Sequence, residues 1–409
     1  MANPNANEVV KPYKIGRDLQ QRDQGLFIID LFGIDWESAQ KKFPAVAQIV
    51  LERVKPQRDV NRRSHRRDRF WLYADSCEAM REGLTGLPSY IATCRTSKHR
   101  TFIPLNGNVI PDAKIIAITS NSMVLFSALS SRVHVHFSNV NGGWQGVGHD
   151  PVYQHSDTFN KFAFPDLSNN PALQDRLREL GERLDAFRKE RLAARDFLTM
   201  TGLYNALERY RELNAGFGEA LSEAERAVHE AGSISVLAGI HDDIDRATLS
   251  AYGWTDLIAA LVGKPGGTVP SNHKTEAQLE AEEELLRRLV ALNHERAEEE
   301  KRGQIRWLRP EYQIAKFGKK LPIAKTEELD LEIVEDVGKP KWPAVNRAQI
   351  RAVSDVLAKS SGLSSAFAIA AAFDGRNTAA RKQRVALILE TMMATGTIIA
   401  DNEKYFIAK

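Results

Sequence analysis

Between Glu52 and Arg69 the chain places Arg53, Lys55, Arg58, Arg62, Arg63, Arg66, Arg67 and Arg69 against three acids. This is a local excess of five positive charges in a protein whose formal net charge is +3. The run is rich in arginine rather than lysine and ends on Phe70, Trp71 and Tyr73. A guanidinium is a planar fork suited to phosphate oxygens and to the O6/N7 edge of guanine, and an amide such as that of Asn61 suits adenine. Arg95, Lys98, His99 and Arg100 form a second cluster in "CRTSKHRTF", and Arg132 follows in "SRVHVHF". Basic clusters with polar and aromatic neighbours are the electrostatic footprint of a nucleic-acid surface. The plainer alternative is a solvated charged face. The aromatics are expected to anchor the basic segment on the domain core rather than stack on bases, because duplex DNA offers few open base faces.

Other chemistry is weaker. His134 and His136, read on a strand, would share a face and need a third ligand to hold a metal, so packing or hydrogen-bonding roles are expected. Asp242, Asp243 and Asp245 read as acids in the first turn of a helix. Gly216-Phe-Gly218 follows a helical pattern and reads as a turn, since a nucleotide-cradling loop follows a strand. Gly142, Gly143, Gly146 and Gly148 read as a loop near bound DNA. The sequence has no G-x-x-x-x-G-K-[ST]. None of its 16 prolines is adjacent to another, so the Asn/Asp-Pro-Pro-aromatic turn that holds an exocyclic amine for methylation is not present.

The elements that must position these residues predict an α+β protein. Residues 1–168 read as mixed α/β. "LFIIDLFG" is expected as a buried strand. "DWESAQKKFPAVAQIVLERV" is expected as helix, with Asp35 as cap and a second start at Pro44. "SYIATCR", "TFIPLNGNVIP" and "AKIIAITSNSMVLFSALSS" are expected as strands with turns, the "NGN" closing a hairpin. Residues 169–317 read as a helical domain: Asn170-Pro171 starts a helix, and Leu173, Leu177, Leu180, Leu184 and Phe187 recur at spacings of four and three. Further helices follow, the last stopped by Gly303. Residues 318–345 read as a linker. Residues 346–409 offer three helical patterns and then two strands, the order of a winged helix, with Arg381, Lys382 and Arg384 giving the third helix a basic face.

At 409 residues the chain predicts two or three folding units. Its 43% hydrophobic and 27% charged content is that of a globular protein rather than a disordered or membrane one. No run reaches the ~18 apolar residues needed to span a bilayer. With only Cys77 and Cys94 and no apolar leader near Met1, a cytoplasmic protein with reduced thiols is expected.

"KPYKIGRDLQQRDQGLFIIDLFGI", "FPAVAQIVLERVKPQRDVNRRSHRRDRFWLY" and "LPSYIATCRTSKHRTF" closely resemble the target-recognition domain of MmeI-like (type IIG/IIL) adenine-specific DNA methyltransferases. The resemblance continues through "SRVHVHF", "DTFNKFAFP", "LTMTGLYNALERYRELN", "LSAYGW", "LVALNHERAEEEKRGQIRWLRPEYQ" and the terminal winged-helix-like piece, and so covers nearly the whole chain. It implies that residues 1–168 are a target-recognition domain and that the chain corresponds to the C-terminal half of such an enzyme, as a specificity subunit or a truncated form. The implied partners are double-stranded DNA and a methyltransferase catalytic domain, within a restriction-modification or phage-defence system and away from membranes. No catalytic residue and no metal ligand can be carried over. No cofactor is expected on this chain, and S-adenosylmethionine is expected in the partner catalytic domain. A stand-alone winged-helix regulator, using Arg376 with Arg381, Lys382 and Arg384, and an inert remnant of the methyltransferase are the alternative readings.

Overall fold

A computed structural model of the chain describes residues 6–145, 150–318, 340–343, 346–359, 364–374, 378–394, 398–401 and 404–407. The expected linker lies outside the described residues except for Gly318 and residues 340–343, and Gly146, Gly148 and Arg376 lie outside them too. The chain forms an α+β fold in two compact units, Met1–Ala324 and Lys325–Lys409.

The first unit opens with β1 (Val10–Lys14), β2 (Phe27–Ile29), β3 (Ser89–Cys94), β4 (Ile103–Asn106), β5 (Ile110–Pro111), β6 (Ile115–Ile118), β7 (Gly143–Gln145) and β8 (Asp150–Val152). β1 is flanked by β2, antiparallel with Pro12 opposite Phe27, and by β5, parallel with Tyr13 opposite Ile110. β3 is central to a second sheet, antiparallel to β4 (Ala92 opposite Ile103) and to β6 (Cys94 opposite Ile115). β7 and β8 pair with each other.

Three expectations for this region are corrected. The "LFIIDLFG" strand is only Phe27–Ile29, and as an edge strand it leaves Phe27 67% exposed rather than buried. The "NGN" does turn, Val109 N–H donating to Asn106 O at 3.0 Å, but it hands the chain from one sheet to the other. β4 and β5 therefore make no hairpin. The segment after β6 is helical: Met123–Ser130, capped by Ser122, whose hydroxyl accepts from Leu125 N–H at 3.2 Å, and then Arg132–Asn141 after Ser131. "SRVHVHF" is thus helix, not strand. Its Val-His alternation imitates a two-residue period because the helix is buried on nearly every side and no polar face marks its turns.

The other helical readings stand. Asp35 caps Trp36–Lys42 by accepting from Ser38 N–H at 2.8 Å, and Pro44 opens the next helix. Asn170 accepts from Leu173 N–H at 3.1 Å ahead of Pro171–Ala194. Gly303, at φ +83°, follows Glu276–Lys301. Leu177, Leu180 and Leu184 enter one continuous core with Ile91 of β3, Phe102 just before β4, and Phe126 and Leu129. Leu203, Tyr204 and Leu207 of Met200–Asn214 and Ile240 and Ile244 of Ile234–Ala251 complete it. This packing runs across residue 168 without a break. Among the described residues, no helix is long and apolar enough to cross a membrane.

The second unit has its own core of Val353, Leu357, Ile369, Phe373, Val385, Ile388 and Leu389. Its order is helix Asn346–Lys359, β9 (Ser364–Ser365), helices Ala366–Ala371 and Ala379–Ala394, then the hairpin β10 (Ile398–Asp401) and β11 (Lys404–Ile407). The sheet order is β10-β11-β9, so β9 adds a strand to the expected three helices and hairpin.

Candidate nucleic-acid interface

The arginine-rich segment is built on an apolar base. A π-helical turn, Val50–Val54, leads into the helix Lys55–Asp59, and a second helix spans Ser64–Asp68. Beneath them Val46, Val50 and Phe70 join Val9, Leu31, Ala39 and Phe43 in one cluster. Trp36, Phe70 and Trp71 stack edge-on or tilted with centroids 4.7 to 5.8 Å apart, and Trp71 Nε1–H donates to Ile34 O at 2.9 Å. Phe70 and Trp71 therefore anchor the segment as expected. Tyr73 does not: it is 46% exposed.

On this base Arg53, Arg62, Arg63 and Arg69 are exposed and make no ion pair among the described residues. Arg58 and Arg66 are half-buried and likewise without a carboxylate partner among them. Other members are engaged internally. Lys55 Nζ lies 2.7 Å from Asp59 and 5.4 Å from the Phe70 ring, and Arg67 Nη1 donates to Asn61 O at 2.7 Å. Asn61 Oδ1 accepts from Arg63 N–H at 3.1 Å.

The loop joining β3 to β4 alternates its side chains. Arg95 and Lys98 are exposed, while His99 and Arg100 are buried and are corrected from surface contacts to internal pins. His99 hydrogen-bonds Thr268 Oγ1 at 3.0 Å and Asn205 Oδ1 at 2.8 Å, and burial holds its pKa below the usual value. Arg100 donates to Thr93 Oγ1 at 3.0 Å, to Cys94 O and to Pro151 O at 2.9 Å, with its guanidinium 5.1 Å from the Tyr153 ring centroid. Arg132 is corrected in the same way: it is 2% exposed and donates to Lys264 O and to Pro265 O at 3.2 Å. Its backbone N–H donates to Asp245 at 2.6 Å. Asp245 lies in the middle of Ile234–Ala251 rather than in a first turn, and burial raises its carboxyl to about 6 despite that arginine.

Pinned in this way, the loop forms one wall of a groove of about 840 Å³. Among the described residues, Arg17, Arg95, Lys98 and Lys114 line it against a single acid, Asp150, and Gln20, Thr96 and Gln145 give it polar hydrogen-bonding groups. Four cations facing one carboxylate suit a polyanionic strand, since clefts lined by one sign of charge concentrate counter-charges. Arg17 and Lys114 escape sequence reading because neither lies in the two basic clusters around Arg53–Arg69 and Arg95–Arg100. The pairing of β3 with β6, extended by Arg95 N–H donating to Lys114 O at 2.7 Å, brings Lys114 beside Arg95, and the helix Gly16–Gln20, held to β3 by the Cys94 thiol donating to Gly16 O at 3.1 Å, brings Arg17 there. β1 links the two cationic surfaces: Val9 and Val10 pack under the arginine helices, and Gly16, just past Lys14, lies at the groove.

In the second unit Arg381, Lys382 and Arg384 share the helix Ala379–Ala394. Arg381 donates to Asp374 O at 2.9 Å and Arg384 to Gln349 Oε1 at 3.0 Å, so both hold their own unit together; Lys382 is exposed. Gly216 and Gly218, both at φ +83°, form the turn expected after Met200–Asn214, and a Cβ on Gly218 would meet the Arg209 guanidinium. That turn follows a helix and is filled by an arginine, so its residues do not fit a nucleotide cofactor.

Neither a protein-family model nor a curated protein matches the chain. Among solved structures, it is similar to the Type IIL restriction-modification enzyme MmeI, determined in complex with DNA, at 15% identity and a TM-score of 0.46. The match covers 72% of this chain and 32% of that enzyme, so the chain spans about a third of its length.

Proposed function

We propose that this chain is a duplex-DNA-binding module, the sequence-recognition portion of a site-specific, S-adenosylmethionine-dependent adenine-N6 DNA methyltransferase of a restriction-modification system. The observation that carries the reading is the set of arginines without carboxylate partners among the described residues, Arg53, Arg58, Arg62, Arg63, Arg66 and Arg69, on an aromatic base in the same unit as the four-cation groove. Their guanidinium groups would hold phosphates and fix register, while Gln20, Thr96 and Gln145 in the groove would meet base edges. The resemblance of the sequence to target-recognition domains supports the assignment to methylation, and methyl transfer would belong to a separate catalytic domain that binds the cofactor and the extruded adenine.

The test is the salt dependence of duplex binding by the 409-residue chain. Converting Arg53, Arg62, Arg63 and Arg69 to glutamine is expected to weaken binding and to flatten the slope of log K against log salt by ~0.9 for each phosphate that is no longer neutralised. Unchanged affinity and slope in the fourfold variant would remove the assignment.

A further inference from the structure

Beside the arginine row lies a cleft of about 330 Å³, within the ~300–1,000 Å³ typical of small-molecule sites. Arg66 and Arg69 line one side, and Phe32 and Tyr73, 40% and 46% exposed, contribute aromatic faces. Arg81 sets the geometry: it donates to both Asp30 oxygens at 2.6 and 3.1 Å and stands 4.5 Å from the Phe32 ring centroid. Asp30 is thereby paired, and Arg66 and Arg69 remain against one further lining carboxylate, Glu78, which accepts from the Ser76 hydroxyl at 3.2 Å. Arg66 lines the cleft, and its Nε is buried with no hydrogen-bond acceptor among the described residues.

We propose that this cleft binds a single unstacked nucleotide, its base against Phe32 and Tyr73 and its phosphate on Arg66 and Arg69. The inference rests on reading the arginine row as a DNA surface. A paired duplex would use the arginines but has no use for the two exposed rings, because its base faces are covered. An unpaired nucleotide supplies a π face and an anion together, and base-aromatic stacking is indifferent to base identity. Tyr73 remains a hydroxyl donor throughout the working range, since burial first and then nearby Asp30 push its pKa up to about 12.

Two probes decide it on the full chain. The first compares a paired duplex with the same duplex carrying one extra, bulged nucleotide. The bulged duplex is expected to bind about tenfold more tightly. The double variant Phe32→Ala/Tyr73→Ala, at exposed positions, should erase that preference and leave the paired duplex unaffected. A preference that survives in the variant, or equal weakening on both duplexes, overturns the proposal, and so does the absence of any preference when the second probe shows no nucleotide binding either. The second probe is a free 2-aminopurine deoxynucleoside 5′-monophosphate, whose fluorescence is quenched by stacking, titrated against inorganic phosphate. Quenched binding of the nucleotide, abolished in the variant, supports the cleft even if no duplex binds, an outcome that would sink only the DNA-surface reading. Equal binding of phosphate and nucleotide marks a plain anion site and overturns the proposal. A bulge preference with no free-nucleotide binding supports a nucleotide delivered by DNA, and free-nucleotide binding with no bulge preference overturns that delivery.

Discussion

Arg95 and Arg100 are five residues apart in one loop and do opposite things. Arg95 points into the groove, whereas Arg100 is 2% exposed and ties Thr93, Cys94 and Pro151 together. Arg95→Ala is expected to change unfolding free energy by less than ~0.5 kcal/mol while weakening DNA binding. Arg100→Ala removes a buried hydrogen-bond network and should cost about 2–4 kcal/mol in urea denaturation. Equal stabilities would contradict the placement of Arg100. His134 gives a second residue-scale test. It is buried among Phe102, Phe162 and Tyr153, with Nε2 2.9 Å from the Tyr153 hydroxyl, and burial, aided by Arg100, pushes its pKa down to about 3. A depressed folded pKa means that the stabilisation from neutral His134 is complete above the unfolded value of about 6.5 and is lost as pH falls toward about 3. The expected slope is up to ~1.4 kcal/mol per pH unit from this group. His134→Gln should make the fall of stability between pH 7 and 5 shallower; an unchanged slope would place the acid sensitivity elsewhere.

At the scale of elements, the groove loop is held from behind by another loop. Glu208, on Met200–Asn214, accepts from Gly266 N–H at 2.8 Å and from both Thr268 N–H and its hydroxyl at 2.9 Å, and it faces Arg211 at 3.1 Å. Burial raises its pKa, but Arg211, Arg132 and these donors outweigh burial and keep the carboxylate charged. Thr268 in turn holds the His99 ring, and its carbonyl accepts from Arg100 N–H at 3.0 Å. Glu208→Ala would leave Arg211 without its nearest carboxylate and release Thr268. The expected cost is ~3–5 kcal/mol, with faster amide exchange at Ser97–Thr101 than at β6. Uniform protection in the variant would show that the two loops are not coupled. The same level of structure marks what the sequence could and could not convey. The leucine stripe from Leu173 to Leu184 is legible because one face is apolar and the other polar. The helix Arg132–Asn141 is not, because burial on nearly all sides erases that contrast. Glu208 and Thr268 meet only through tertiary packing, so nothing in their local sequence announces the pair.

For the whole molecule, composition marks a boundary near residue 168 that the packing ignores. Ile91, Phe102, Phe126 and Leu129, from before it, are covered by Leu177, Leu180, Leu184, Leu203 and Leu237, from after it. Arg188 reaches back to donate to Phe102 O at 2.8 Å, and Ser127 donates to Leu177 O at 2.6 Å. A fragment of residues 1–168 would expose those side chains to water at roughly 25 cal/mol for each Å² uncovered. A domain's net stability is only ~5–15 kcal/mol, and uncovering several core side chains exceeds it. The fragment is therefore expected to lack a cooperative thermal transition and to aggregate. Residues 325–409 carry their own core, from Val353 through Leu389 to Ile398. That piece is expected to unfold cooperatively on its own, at modest temperature, because a domain so small buries a limited fraction of its surface. Circular dichroism melts of the two fragments and of residues 1–324 measure this directly. A cooperative transition in 1–168 would mean that its two sheets form a self-sufficient core and that the helices from Pro171 onward merely cover it. A transition in 1–324 with none in 1–168 would instead make the cationic surfaces and the helices behind them one folding unit, so that, on the proposed function, mutations around Leu180 should weaken DNA binding without touching DNA.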